Sequence, residues 1–195
     1  MYQTKDGKYL SRVGQRSTPA RVLWDNLNRR LNTLVHYQNV QLGWDNFQDF
    51  ARWFYKHHIP GYQLDKDINS RILEVPPAYS ESCCRFVPKL INNFPCSHAR
   101  ASGAYLQGVC WVTEKELFKA QISKGNGKSR TIGYFTCEFE ASRAYIKAKK
   151  IWGYELASRY PKLKTWFRKY VRLYCQDLEQ LTYEKESEVN YSHSL

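Results

Sequence analysis

The stretch from residue 104 to residue 152 constrains the fold more tightly than any other. Residues 104–111, 118–122 and 130–135 read as three strands, joined by Val-Thr-Glu-Lys-Glu-Leu and by Ser-Lys-Gly-Asn-Gly-Lys. Gly125-Asn126-Gly127 supplies the positive φ values that a hairpin turn needs. Ala141, Ala144, Tyr145, Ala148, Ile151 and Trp152 then mark a helix whose small residues let it approach a sheet closely. Side chains alternate along a strand, so Phe118, Ala120 and Ile122 face that helix, and Lys119, Gln121 and Ser123 face away. The prediction is a three-stranded antiparallel sheet packed on one helix.

The flanking segments complete an α+β protein. Thr18-Pro19 offers an N-cap and a first-turn proline, and Leu23, Leu27, Leu31 and Leu34 follow at helical spacing, which predicts a helix over 19–36. Asp45 is the expected cap of a second helix bearing Phe47, Phe50, Ala51 and Phe54 on one side. Trp24, Trp44 and Trp53 belong to that core, with stacking on nucleic-acid bases as the alternative. After Pro60 the pattern becomes strand (61–68), loop, strand (83–87) and a helix opened by Pro88. Pro161 interrupts the chain before an amphipathic helix over 163–181, and the acidic, serine-rich end from residue 184 reads as frayed. Four segments result: a helical N-terminal region (1–58), a ββα unit (59–100), the sheet-and-helix module (101–160) and a C-terminal helix with an acidic tail (161–195).

Charge narrows the partner. Lys plus Arg number 30 against 18 Asp plus Glu, a formal net charge of +12, which points to a polyanion, nucleic acid first. The charge is uneven: +5 over 1–58, +1 over 59–100, +5 over 101–150, +5 over 151–175 and −4 over 176–195. No window approaches eighteen uninterrupted apolar residues and the first residues lack the apolar segment of a secretory signal, so the expectation is a cytoplasmic protein without a membrane partner. Cys83 and Cys84 are adjacent and no CxxC pair occurs among the six cysteines, so reduced thiols and no structural zinc are expected.

Gly61-Tyr-Gln-Leu-Asp-Lys-Asp-Ile and Tyr79-Ser-Glu-Ser-Cys-Cys-Arg-Phe-Val-Pro-Lys-Leu-Ile-Asn together resemble the core of phage-encoded HNH-like proteins of the homing-endonuclease type. The resemblance implies a host bacterial cytoplasm. It also implies a ββα site in which Asp65 and Asn92 hold one hard divalent ion, magnesium or manganese, that neutralises charge at a scissile phosphate. Lys66 stands where such enzymes usually place a histidine base. A lysine beside Asp65 and Asp67 stays protonated, so its expected role in the catalytic set is a phosphate clamp. His57 and His58 are candidates for the missing base, or else a solvated helix end. Asp65 and Asn92 have a metal-free alternative as a turn-and-cap pair. Cys84 matches the family cysteine and reads as packing.

Tyr105-Leu-Gln-Gly-Val-Cys-Trp, Phe118-Lys-Ala-Gln-Ile, Ile132-Gly-Tyr-Phe and Glu140-Ala-Ser-Arg-Ala-Tyr are similar to the plant ethylene-response-factor (apetala-type) DNA-binding domain. That likeness implies a sheet lying in the major groove of double-stranded DNA. To Lys119, Gln121 and Ser123, the outward set on the middle strand, the resemblance adds Gln107, Cys110, Ser129 and Thr131, with Lys115, Lys124 and Lys128 in the turns available to phosphates. Family members carry several arginines and tryptophans on this face; here the residues are mostly small or uncharged, which weakens base reading and leaves backbone affinity. The function these features favour is a metal-dependent endonuclease that nicks or cleaves duplex DNA. The alternatives are a DNA-binding protein that keeps the nuclease shape without the reaction, and a phage protein that binds and inhibits a host enzyme.

Overall fold

A computed structural model of the chain describes residues 2–95, 105–125, 127 and 129–192, with His36 and Ser192 described in backbone only. The fold is α+β and divides into two compact units, Met1–Pro88 and Lys89–Leu195.

The first unit opens with a short antiparallel pair, β1 (Arg12–Val13) and β2 (Arg16–Ser17). Helix α1 (Pro19–Thr33) begins as expected: Pro19 occupies the first turn and the Thr18 hydroxyl accepts the Arg21 N–H at 3.4 Å. It ends at Thr33, three residues earlier than its leucine spacing predicts, and a 3-10 turn (Val35–Tyr37) follows. After β3 (Gln41–Leu42), helix α2 (Phe47–His57) is capped by Asn46, whose side-chain oxygen accepts from Gln48 N at 2.8 Å and Asp49 N at 3.2 Å. This corrects the cap expected at Asp45: one residue earlier, a carboxylate does not reach those orphan amides.

The strand expected over 61–68 is shorter than its sequence pattern. Only Gln63–Asp65 is extended (β4), and a helix the periodicity did not disclose, α3 (Asp67–Leu73), follows at once. The turn is made by Asp65, whose carboxyl accepts the Ile68 N–H at 2.9 Å, and Ile68 is driven inward to complete burial. β5 (Ala78–Tyr79) pairs in parallel with β3, and β6 (Arg85–Val87) pairs antiparallel with β4, setting Asp65 opposite Arg85. The core joins Leu27 of α1 and Phe50, Trp53 and Phe54 of α2 to Trp44, Tyr79 and Phe86. Trp44 and Trp53 lie 5.0 Å apart between ring centroids, and Trp24 packs on Phe50 at 5.4 Å, so all three tryptophans serve the scaffold.

The second unit begins with α4 (Lys89–Asn92). β7 (Val109–Val112), β8 (Leu117–Ser123) and β9 (Ser129–Phe135) form an antiparallel sheet in sequence order. Helix α5 (Glu138–Ser158) packs on it, and Val109, Ala120 and Ile122 are buried on the packed side. Gly108, at φ +80°, lets the chain pass directly against the Tyr145 ring of α5, where a Cβ would overlap the aromatic carbons.

Helix α6 (Lys164–Ser192) lies along α5 and buries Phe167, Val171 and Cys175 completely. Gly153 permits that approach, since a Cβ there would come within 2.6 Å of Val171. The expected frayed tail is helical as far as Ser192. It is tied to α5 by the buried Ser142–Thr182 hydrogen bond at 2.9 Å and by the ion pairs Arg143–Glu186 at 2.5 Å and Lys185–Glu138 at 2.7 Å. Among the described residues no helix is long and apolar enough to cross a membrane.

Candidate nucleic-acid interface and candidate metal site

The uncovered side of the sheet gathers most of the residues expected to meet DNA. Cross-strand partners share a face, and Lys119 sits opposite Cys110 and Tyr134, Gln121 opposite Thr131, and Ser123 opposite Ser129. The register shifts between Ala120 and Gln121, so that Gly133 and Thr131 are consecutive partners and Ile132 is the extra residue of a bulge. This irregularity brings Thr131 and Tyr134, three residues apart, onto one side. Lys115, in a 3-10 turn (Thr113–Lys115), holds its ammonium 4.1 Å from the centre of the Tyr134 ring and so joins the same face.

Two residues expected here sit elsewhere. Gln107 donates to the hydroxyls of Tyr145 at 2.9 Å and Tyr174 at 2.6 Å, tying β7's approach to α5 and α6. Lys124 pairs with Glu155 of α5 at 2.9 Å and lies 4.8 Å from the Trp152 ring. In both cases a partner on the helices draws the side chain away from the open face. Lys128 lies outside the described residues. Tyr134, which is 40% exposed at the centre of the arrangement, was missed because simple alternation from Thr131 selects Gly133 and Phe135 instead.

In the first unit Asp65 ends β4 and is only 5% exposed. Burial pushes its carboxyl up to about 7, against the lowering effect of the Ile68 N–H that it accepts. Oδ1 makes that bond; the other oxygen makes none among the described residues. Lys66, 7% exposed, is not held out toward solvent. Its ammonium lies 2.5 Å from Asp67 and faces the rings of Tyr37 at 5.3 Å and Tyr79 at 5.6 Å, whose planes are nearly parallel. The expected phosphate clamp is therefore already engaged within its own unit. Of the two rings that hold it, Tyr79 opens the quoted motif but with no sign that it seats a lysine, and Tyr37, in the 3-10 turn, lies outside any motif.

The histidines at the end of α2 are packed on aromatic rings. His57 stacks on Trp53 and places Nδ1 2.7 Å from the Trp53 carbonyl, while His58 stacks on Phe54 and is kept below the usual imidazole range by burial. Cys83 and Cys84 are buried, and burial raises the Cys84 thiol well above its ordinary range, as suits packing. Cys110, Cys137 and Cys175 are likewise free thiols, and Cys96 lies outside the described residues.

Asp65 belongs to the first unit, and Asn92, half-buried at the end of α4, belongs to the second. Among the described residues no three His, Cys, Asp or Glu side chains gather into a metal-binding group. A carboxylate and an amide oxygen are donors of the right kind for magnesium, which keeps several of its positions for water and phosphate. Comparison with protein-family models, with curated proteins and with solved structures found no match.

Proposed function

We propose that this chain binds double-stranded DNA through the open face of β7, β8 and β9, acting in the cytoplasm. The observation that supports this most directly is the shared facing of Lys119, Gln121, Ser123, Ser129, Thr131 and Tyr134, with Lys115 laid over Tyr134. These are groups that hydrogen-bond or neutralise phosphate and sugar, and no arginine–guanine fork is among them, so affinity is dominated by the DNA backbone. Titration of an arbitrary duplex against salt tests this. Log affinity falls steeply with log salt, and replacing Lys115 and Lys119 by glutamine makes the slope shallower by about 0.9 for each phosphate no longer neutralised. A salt-independent or undetectable interaction defeats the reading.

A second reading, cleavage of the bound duplex, is favoured by one observation: a buried carboxyl at Asp65 whose proton affinity is displaced and whose second oxygen is uncommitted. In this reading Asp65 is an oxygen ligand of one magnesium or manganese ion, which when bound supplies charge neutralisation at the phosphate. Asp65 binds such an ion only as the carboxylate, so occupancy rises with pH through about 7. Supercoiled plasmid incubated with either metal is nicked by the wild type and left intact by Asp65→Ala and Asn92→Ala. Nicking that survives both changes defeats this reading.

A further inference from the structure

The turn between α5 and α6 carries a concentration of charge that the fold does not need. From Arg159 to Arg172 there are six cations, Arg159, Lys162, Lys164, Arg168, Lys169 and Arg172, and no acid. All six are exposed, and among the described residues none has an acidic partner. Lys164, Arg168 and Arg172 fall at i, i+4 and i+8, a like-charge stripe that opposes helix formation, at the end of α6 where the helix dipole also disfavours cations. Local stability therefore gives no reason for this pattern, and the net charge of −4 that follows over 176–195 shows that it is not a uniform property of the helix.

Cations of the elbow also reach toward the hairpin end of the sheet. Trp152 of α5, itself buried, has Lys124 at 4.8 Å from its ring and Arg159 at 4.9 Å. Lys124 follows β8 directly, at the start of the β8–β9 turn. Arg168, near the start of α6, lies 4.6 Å from the Tyr154 ring of α5. Cations laid on aromatic faces keep their stems packed and their charge at the surface; Lys124 is already paired with Glu155 at 2.9 Å, so the free positive charge begins at Arg159 and runs over the α5–α6 elbow.

We infer that the elbow is a second phosphate-binding surface, which lengthens the DNA footprint beyond the sheet. The inference rests on the duplex-binding reading and extends it. Guanidinium and ammonium groups without an acidic partner suit a phosphodiester backbone, whose condensed counterions they displace.

The test uses the full chain with two variants. One carries Lys164→Gln, Arg168→Gln and Arg172→Gln; the other carries Lys115→Gln and Lys119→Gln. Fluorescence anisotropy follows binding to arbitrary duplexes of about 12 and about 30 base pairs across a range of salt. On the longer duplex the elbow variant shows a log–log slope shallower by about 2 to 3 and affinity reduced at least about tenfold near 0.15 M salt, with less than about a twofold change on the shorter one. An elbow variant with the wild-type slope on the longer duplex, or with equal losses on both lengths, overturns the extended track. If the sheet variant binds both duplexes like the wild type while the elbow variant loses affinity on the longer one alone, the sheet reading fails and the elbow inference stands. Loss of binding to anionic phospholipid vesicles by the elbow variant, with its DNA slope unchanged, assigns the elbow to a lipid surface and also overturns the proposal. Removing like charges relieves α6, so the variant melts no lower than the wild type, and a lower melting temperature overturns the claim that the stripe is dispensable to the fold.

Discussion

The Asp65 carboxyl accepts the Ile68 amide hydrogen while almost shut off from water, so one relationship favours its charge and the other opposes it. Burial wins, and the group is held near pKa 7 in the folded chain against an ordinary value of 3.8.

Stability should therefore depend on pH through this residue. Between about 4 and about 7 the folded state binds more protons at Asp65 than the unfolded state does, so the contribution is complete at low pH and is lost as pH rises through about 7. The full swing is roughly 4 kcal/mol. Asp65→Asn keeps an acceptor for Ile68 and removes the titration. Urea denaturation at pH 5 and pH 8 should show the variant losing far less stability between the two conditions than the wild type, and equal losses count against a buried, titrating Asp65.

Gly108→Ala addresses the close approach to Tyr145. The substitution meets a left-handed backbone at φ +80° and a ring with no space for a methyl group. Together these destabilise by about 2–4 kcal/mol. Thermal unfolding measures it, with Gly7→Ala as the comparison: φ is +80° there too, but nothing lies within 4 Å.

Gln107→Leu separates scaffold from interface. It strips a donor from two tyrosine hydroxyls and leaves the open sheet face as it was. Stability falls by about 1–3 kcal/mol while the salt slope of DNA binding stays at the wild-type value. A changed slope would put Gln107 on the DNA side of the sheet.

Ending the chain at Tyr183 removes the Arg143–Glu186 and Lys185–Glu138 pairs and the last turns of α6, but keeps Thr182 and its bond to Ser142. Each pair is partly exposed and contributes at most about 1 kcal/mol. Circular dichroism should report a loss of helix with a small drop in melting temperature; an unfolded product would mean that the acidic segment holds more of the unit together than these two pairs indicate.

Local signals were legible where one residue type does one job. The Thr18-Pro19 start of α1, the apolar side of α2 and the alternation on β8 all follow from spacing, because each sets a face against a core within a few residues of chain. Features that depend on distant partners were not. The helical continuation past residue 181 rests on Ser142, Arg143 and Glu138, some forty residues back. The seat of Lys66 rests on Tyr37 and Tyr79, and α3 is hidden because a seven-residue helix shows too little periodicity to stand out from a strand. On the β7–β9 sheet the bulge at Ile132 shifts the alternation, so the facing of the positions after it depends on the register and not on spacing alone.

The charge layout of α6 has a further consequence. Cations cluster where the peptide dipoles already leave the helix positive, and Asp177, Glu179, Glu184, Glu186 and Glu188 follow toward the end where those dipoles leave it negative. Side chains and backbone add rather than cancel, giving this unit a strong electric moment along one 29-residue rod. In the field of any polyanion such a moment exerts a torque that turns the basic end of this helix forward.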